Sequence, residues 1–130
     1  MDKYDQTMRK VIAGTQDNEI KWKSASPNPY HRIITNVDMV VRCFTAKMTI
    51  KDSEYDLVFV EKKTFAMDEN GIQFEKLGYE LNVLNDGGEL VVPIYEGLVD
   101  REDLFRLASV VSDSNADAND FFDALLGDDE

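Results

Sequence analysis

Residues 40–95 contain stretches in which apolar and polar side chains alternate, and three short turn signals interrupt this region. A period of two is typical of strands that bury one face against a core. The turn signals lie at residues 51–54, 68–71 and 85–88, and the last of them, Asn-Asp-Gly-Gly, is the strongest because these residues tolerate a positive φ. Successive strands joined by such turns pair antiparallel. The sequence therefore predicts an antiparallel meander, which limits the fold more than any other feature.

Two strands of the meander have predictable positions in the sheet. The strand that starts at Tyr55 and runs towards Lys63 is apolar on both faces, which is typical of a central strand. Pro93 cannot donate a ladder hydrogen bond, so residues 90–95 are expected at an edge. The alternation in residues 19–23 predicts a further strand before the meander, and Gly78 predicts a break in the strand at 72–83. The sheet is thus expected to have four or five strands.

Helices are expected on both sides of the meander. Asp2 caps a short N-terminal helix, which we expect to end at Gly14. Its apolar face repeats at helical spacing and consists of Tyr4, Met8, Val11 and Ile12. Asp100 opens a second helix with a similar apolar side: Leu104, Leu107, Ala108 and Val111. The prediction is an α+β domain over residues 1–112, followed by an acidic C-terminal segment over 113–130 with a short amphipathic helix.

Charge is concentrated at the C-terminal end of the chain. The 130 residues carry 14 Lys and Arg against 26 Asp and Glu, a net charge of −12. Residues 100–130 hold ten acidic and two basic residues and so account for −8 of that total. A chain this acidic is unsuited to binding nucleic acid directly, because phosphate neutralisation needs clustered Lys and Arg. An acidic tail also keeps a small protein soluble, and that reading stands beside any functional one.

The acidic segment contains four large apolar residues at helical spacing. They favour a short helix that docks into a groove on a basic protein partner. The alternative, which we favour slightly from the sequence, is that the same side chains pack back onto the protein's own sheet. The candidate partner-binding residues are Asp117, Asp120, Phe121, Phe122, Asp123, Leu125, Leu126, Asp128 and Asp129.

Catalytic and metal-binding patterns are sparse. One Cys and one His exclude a disulfide framework and a Cys/His zinc site, and no Gly-rich phosphate loop is present, so we expect no cofactor, no metal and no enzyme activity. The best enzyme-like pattern is Glu61-Lys62-Lys63 with Asp52 and Asp56 upstream. It resembles the acid-x-Lys motif of metal-dependent nucleases, in which two acidic residues hold Mg²⁺. A nuclease-like protein is therefore kept as an alternative.

The order of elements resembles a loose group of small bacterial and phage single-domain proteins. The resemblance is carried by the N-terminal helix, Ile20-x-Trp22, Tyr55-x-Leu57 and the Leu104-x-x-Leu107 helix. Several proteins of that group are associated with mobile elements and phage–host conflict. The resemblance implies a binding protein rather than an enzyme, and it implies no particular partner.

These observations favour a small acidic protein that binds another protein with a basic or groove-like surface. It would act as an adaptor, or as an inhibitor that covers the partner's surface. A second alternative is a DNA mimic, whose carboxylates imitate phosphates in two rows and block a nucleic-acid-binding protein. The sequence has neither a membrane-spanning apolar run nor a secretory signal, and its single Cys43 suits a reducing compartment, so we expect the cytoplasm.

Overall fold

A computed structural model describes residues 2–114 and 116–127 and confirms the α+β fold. An N-terminal helix precedes a five-stranded antiparallel sheet, and two consecutive helices follow it. The elements are α1 (Lys3–Gln16), β1 (Lys23–Ser24), 3₁₀ turns at Asn28–Tyr30 and Val37–Met39, β2 (Val40–Ile50), β3 (Ser53–Met67), β4 (Gln73–Leu84), β5 (Leu90–Tyr95), α2 (Arg101–Ser114) and α3 (Ala116–Leu126).

The sheet is a simple meander in the order β1-β2-β3-β4-β5. Each predicted turn joins two neighbouring strands, and Gly71 and Gly88 supply positive φ angles of 77° and 80°. The strand predicted to be central, β3, is the middle strand, and the strand with Pro93 lies at an edge. The turn chemistry therefore specifies the strand order directly.

The main core lies between one face of the sheet and helices α1 and α2. Strand residues Leu57, Phe59 and Leu81 are almost fully buried there, against helix residues such as Met8 and Leu107. The Trp22 ring packs edge-on against Phe59 at 6.2 Å, and Phe59 stacks on Tyr79 at 6.0 Å. Aromatic pairs of this kind add to the burial of large apolar surfaces. These two helices, with the Trp22 segment, close the core on this face.

A smaller cluster lies on the opposite face, where residues 25–40 cross the sheet. Ile34 packs there against Cys43, Val58 and Val60. Burial raises the pKa of the Cys43 thiol to about 11, so the thiol stays protonated at neutral pH. The loop thus buries the second apolar face of β3, which explains why that strand is apolar on both sides.

Three local expectations are wrong: the end of α1 at Gly14, the break at Gly78 and the strand over residues 19–23. Helix α1 continues past Gly14 to Gln16. The glycine serves close packing rather than helix termination, since a Cβ there would meet Ile20 Cδ1 at 2.9 Å. Strand β4 runs unbroken through Gly78, where the missing side chain makes room for Thr64. An irregularity at Val41 also shifts the register of β2, so that Val40 packs in the smaller cluster whereas Phe44 packs in the main core.

The segment predicted as a strand over residues 19–23 pairs with β2 only at Lys23 and Ser24. Its alternation nevertheless follows burial, since Ile20 and Trp22 are buried and Lys21 is exposed. The Trp22 indole donates to Thr15 Oγ1 at 2.9 Å, which satisfies its N–H inside the core. Alternation here reports burial against α1 rather than membership of a ladder.

Candidate functional site

Helix α3 is attached to the rest of the protein mainly at its first turn. Asp117 Oδ2 accepts a hydrogen bond of 2.9 Å from the backbone N–H of Ser24, on the short edge strand β1. This bond, with the Ser24 hydroxyl and nearby Lys23, lowers the pKa of the Asp117 carboxyl. The contact joins residues 93 positions apart, so it is a tertiary contact rather than a helix cap. Beyond this turn, every residue from Asn119 to Gly127 is exposed.

The four large apolar residues predicted in this helix form one exposed surface, which we call the apolar stripe: Phe121, Phe122, Leu125 and Leu126. Their side chains are 60%, 50%, 58% and 59% exposed, respectively. The two phenyl rings meet edge to face at 5.6 Å. The expectation that these side chains pack onto the protein's own sheet is therefore wrong.

Helical geometry gathers the stripe on one side of α3 and places acidic residues on the other. Successive residues turn by about 100°, so the stripe and Ala118 fall within an arc of about 140°. Asp120 and Asp123 lie roughly opposite the centre of that arc, and Asp117 flanks it on the side that contacts β1. The structure thus brings most of the predicted docking residues together on one helix. Asp128 and Asp129 lie outside the described residues.

The stripe does not pack on the main core because α1 and α2 already cover that part of the helix-side face. Leu104, Leu107 and Val111 of α2 are completely buried there, beside the apolar face of α1. Helix α3 follows α2 and contacts both α2 and the edge strand β1. Because α1 and α2 occupy the face over the main core, the apolar side of α3 remains in water.

The residues of the nuclease-like motif are not assembled. Asp56 and Glu61 project from opposite faces of β3, because they are five residues apart in a strand of period two. Asp52 lies in the β2–β3 turn, roughly 30 Å along the strand from Glu61. In residues 2–114 and 116–127, no three His, Cys, Asp or Glu side chains are grouped to hold a metal ion.

Glu61 instead holds together the sheet and α2. It is 7% exposed and accepts two hydrogen bonds from Arg42, at 3.0 Å from Nε and 3.1 Å from Nη2. Arg42 Nη1 also donates to Ser112 Oγ of α2 at 2.7 Å. Burial, and then the Glu61 carboxylate, raise the pKa of the Tyr79 hydroxyl. A bidentate pair in this setting positions α2 over the sheet.

Sequence reasoning missed a second exposed apolar surface, which we call the ledge: Phe65, Met67, Leu77 and Phe105. Strands β3 and β4 extend beyond the part of the sheet that α2 covers, and Phe65, Met67 and Leu77 lie on the helix-side face of that extension. Phe105 stands beside it on α2, with its ring edge-on to Tyr79 at 6.4 Å. Continued alternation through Thr64-Phe65-Ala66-Met67 was the available signal, because it carries the strand past Lys63.

Of the helices that the structure describes, none combines the length and the apolar character needed to cross a membrane. Comparison with known proteins adds no relative, since no protein-family model, curated protein or solved structure matches this chain. The stripe, the ledge and their surroundings are therefore the features that indicate a function.

Proposed function

We propose that this chain is a protein-binding protein that docks the apolar stripe of α3 into a groove on a partner, as an adaptor or as an inhibitor that covers the partner's surface. One observation carries the proposal: four large apolar side chains share one face of a helix and are each at least half exposed. Such clusters on soluble proteins commonly mark interaction sites. An amphipathic helix laid in a groove is a recurring way to use them.

The magnitude of the burial is appropriate for a docking helix. Each half-exposed side chain of the stripe offers roughly 100 Å² to a partner, or about 400 Å² in all. At about 25 cal/mol per Å², covering that area contributes on the order of 10 kcal/mol before the costs of association. Those costs are of similar size, so the fit of the groove decides the affinity. The stripe therefore supports specific binding only to a matching surface.

The acidic face of α3 indicates the charge of that surface. With the stripe in a groove, Asp120 and Asp123 stay at the rim of the interface or in solvent. Basic residues along the partner's rim would pair with them, accelerate association and reject acidic competitors. We therefore propose a partner whose apolar groove is lined at its edges by Lys or Arg. Such a complex weakens as salt is added, because rim charges are screened.

The same surface favours docking over DNA mimicry. A mimic presents carboxylates and gains nothing from exposed phenylalanines, whereas α3 places its aspartates behind an apolar face. The two ideas differ in which substitutions abolish binding: the stripe decides docking, and the carboxylates decide mimicry.

We propose the cytoplasm as the compartment of this activity. The single Cys43 is free and buried, and its thiol is protonated at neutral pH, which suits a reducing environment. Within it, the resemblance noted from the sequence favours a role in phage–host conflict, where a small protein that covers another protein's surface is effective.

Site-specific cross-linking tests the docking proposal. A benzophenone amino acid is placed at position 122 in the stripe, and as a control at position 90, an exposed apolar residue on β5. Each protein is irradiated in lysate of the cell that produces it, and cross-linked proteins are identified by mass spectrometry. The identified protein is then purified and titrated with the natural chain, with Leu125→Ser/Leu126→Ser, and with Asp120→Asn/Asp123→Asn.

We expect a distinct protein cross-linked at position 122 and not at position 90. The leucine pair should weaken its binding at least about a hundredfold, a loss of roughly 3 kcal/mol, whereas the aspartate pair should weaken it only several-fold. A partner lost with the aspartate pair but kept with the leucine pair would favour the DNA mimic. Cross-linking that is equal at both positions, or none at position 122, would refute the docking proposal.

A further inference from the structure

The stripe on α3 and the ledge beside α2 are both exposed apolar surfaces of the described residues. The floor of the ledge is the extension of the β3–β4 hairpin, and its wall is the side of α2. Arg101 Nη2 donates to the carbonyl of Leu77 at 3.1 Å, which fixes the start of α2 against the hairpin. The side chains of Phe65, Met67 and Phe105 are 55%, 69% and 53% exposed. The ledge is thus an open step with an apolar floor and wall.

Charges of both signs border the ledge, although the chain carries −12. Lys63 pairs with Glu75 at 3.4 Å, and Arg101 pairs with Glu96 at 3.0 Å. Because these pairs offset opposite charges beside the apolar floor, an acidic helix meets less repulsion there than the net charge of the chain would suggest.

The two surfaces also match in size. Helix α3 has 11 residues and is about 16 Å long. The hairpin extends six residues past the Glu61–Tyr79 pair, or about 20 Å. Like the stripe, the ledge exposes four large side chains and offers about 400 Å². The stripe of one copy can therefore cover the ledge of another copy over most of its length.

We propose that two copies of this chain associate reciprocally, with the apolar stripe of each seated on the ledge of the other. The inference rests on the proposed function in one respect, since both use the stripe as a docking surface. Reciprocity supplies the needed area. One stripe on one ledge buries about 400 Å² per copy, which is within the range of crystal contacts. Two such contacts bury about 800 Å² per copy, which is the size of a stable interface. Twofold symmetry generates both contacts from one arrangement.

Self-association then regulates partner binding, because the dimer and the partner complex compete for the stripe. The two complexes respond to salt in opposite directions. Two copies that each carry −12 repel, so salt strengthens the dimer by screening the repulsion. A complex with a basic-rimmed partner weakens under the same change. Salt dependence thus separates the two uses of one helix.

Sedimentation equilibrium of the full chain tests the dimer. It is measured from about 1 to 300 μM protein at 20 and 300 mM NaCl, a range that brackets a weak dimer. Three pairs of substitutions are compared, each at exposed apolar positions: Leu125→Ser/Leu126→Ser in the stripe, Phe65→Ser/Met67→Ser on the ledge, and Leu90→Ser/Val91→Ser on edge strand β5 as the matched control. Circular dichroism of each variant verifies that the fold is retained.

We expect the natural chain to rise from 14.8 kDa towards twice that mass with concentration, and more steeply at the higher salt. The stripe and ledge pairs should each weaken the dimer at least about tenfold, and the β5 pair should leave it unchanged. A mixture of the stripe and ledge variants should associate more strongly than either alone, because one intact stripe still meets one intact ledge.

Other results overturn the inference. The dimer is refuted if the chain stays monomeric at every concentration and salt. It is also refuted if the β5 substitutions abolish the dimer and the ledge substitutions do not, which would indicate pairing through the edge strand. The proposed function is tested separately from the dimer, so either one can be refuted without the other. A monomeric chain that still cross-links a distinct protein at position 122 keeps the proposed function and refutes the dimer. A salt-strengthened, ledge-dependent dimer with no such protein supports the dimer and refutes the partner.

Discussion

Helices α2 and α3 are consecutive in the chain and similar in pattern, yet they have opposite environments. Both are amphipathic, and both carry a row of large apolar side chains. In α2 that row is buried, with Leu107 at 0% exposure, whereas Leu125 in α3 is 58% exposed. The difference arises from the sheet, because α1 and α2 already cover the part of its helix-side face that holds the main core. Amphipathic spacing therefore predicts a helix that needs a partner surface, and the rest of the fold decides whether that surface is internal.

Truncating a leucine in each helix should reveal the largest difference between them. Leu107→Ala opens a cavity in a closed core and should lower the free energy of unfolding by about 2–5 kcal/mol. Leu125→Ala removes an exposed side chain and should change it by less than about 0.5 kcal/mol. Urea unfolding of dilute protein, followed by Trp22 fluorescence, measures both. Equal losses would mean that α3 packs on the body as α2 does.

The next effect concerns the ion pair that holds α2 in place. Glu61→Gln leaves Arg42 with a weaker partner and should lower the free energy of unfolding by about 1–3 kcal/mol. The loss is substantial because the carboxylate is buried, and it is limited because Arg42 is partly exposed and can be hydrated by solvent. Lys63→Met, which breaks an exposed pair with Glu75, serves as the control and should cost less than about 1 kcal/mol. A loss for the control as large as that for Glu61→Gln would refute the distinction.

The smallest effect concerns the Asp117–Ser24 hydrogen bond at the first turn of α3. The pKa of Asp117 is lowered in the folded protein from its ordinary value of 3.8. The ionised carboxylate therefore holds the Ser24 amide at any pH above 3.8, and the hydrogen bond is lost as the pH falls through the lower pKa of the folded protein. The Ser24 amide resonance should therefore titrate with a midpoint below 3.8. Asp117→Ala should abolish that titration and Asp120→Ala should preserve it. A midpoint at or above the ordinary value would contradict the contact.

Much of the fold follows from local chemistry in the sequence. The turns at residues 68–71 and 85–88 specify which strands are neighbours, and the two apolar faces of β3 specify the central strand. The irregularity at Val41 could not be predicted from the sequence. One extra residue in a strand exchanges which side chains face the core, and the composition of the strand does not change with it. The contacts of Arg42 with Ser112 and of Ser24 with Asp117 span 70 and 93 positions, so only the assembled fold reveals them.

The candidate site was half predictable for a related reason. Spacing identified Phe121, Phe122, Leu125 and Leu126 as one face of a helix, and the structure places them together. Their exposure depends on how much of the sheet is already covered, which is a property of α1 and α2 rather than of α3. The ledge has the same origin, because Phe65 and Met67 are exposed only where the hairpin outruns the covering helices.

Hydrogen exchange of α3 measures most directly whether this helix is held by the body or left available for docking. An isolated helix of 11 residues is marginal in water, so at low micromolar concentration the amides from Phe121 to Leu126 should be protected less than about tenfold, as measured by mass spectrometry. The amides of α2 from Leu104 to Val111 should exchange slower by orders of magnitude, because they open only when the core does. Protection of α3 equal to that of α2 would show that the apolar stripe is buried in the monomer, and it would contradict the account.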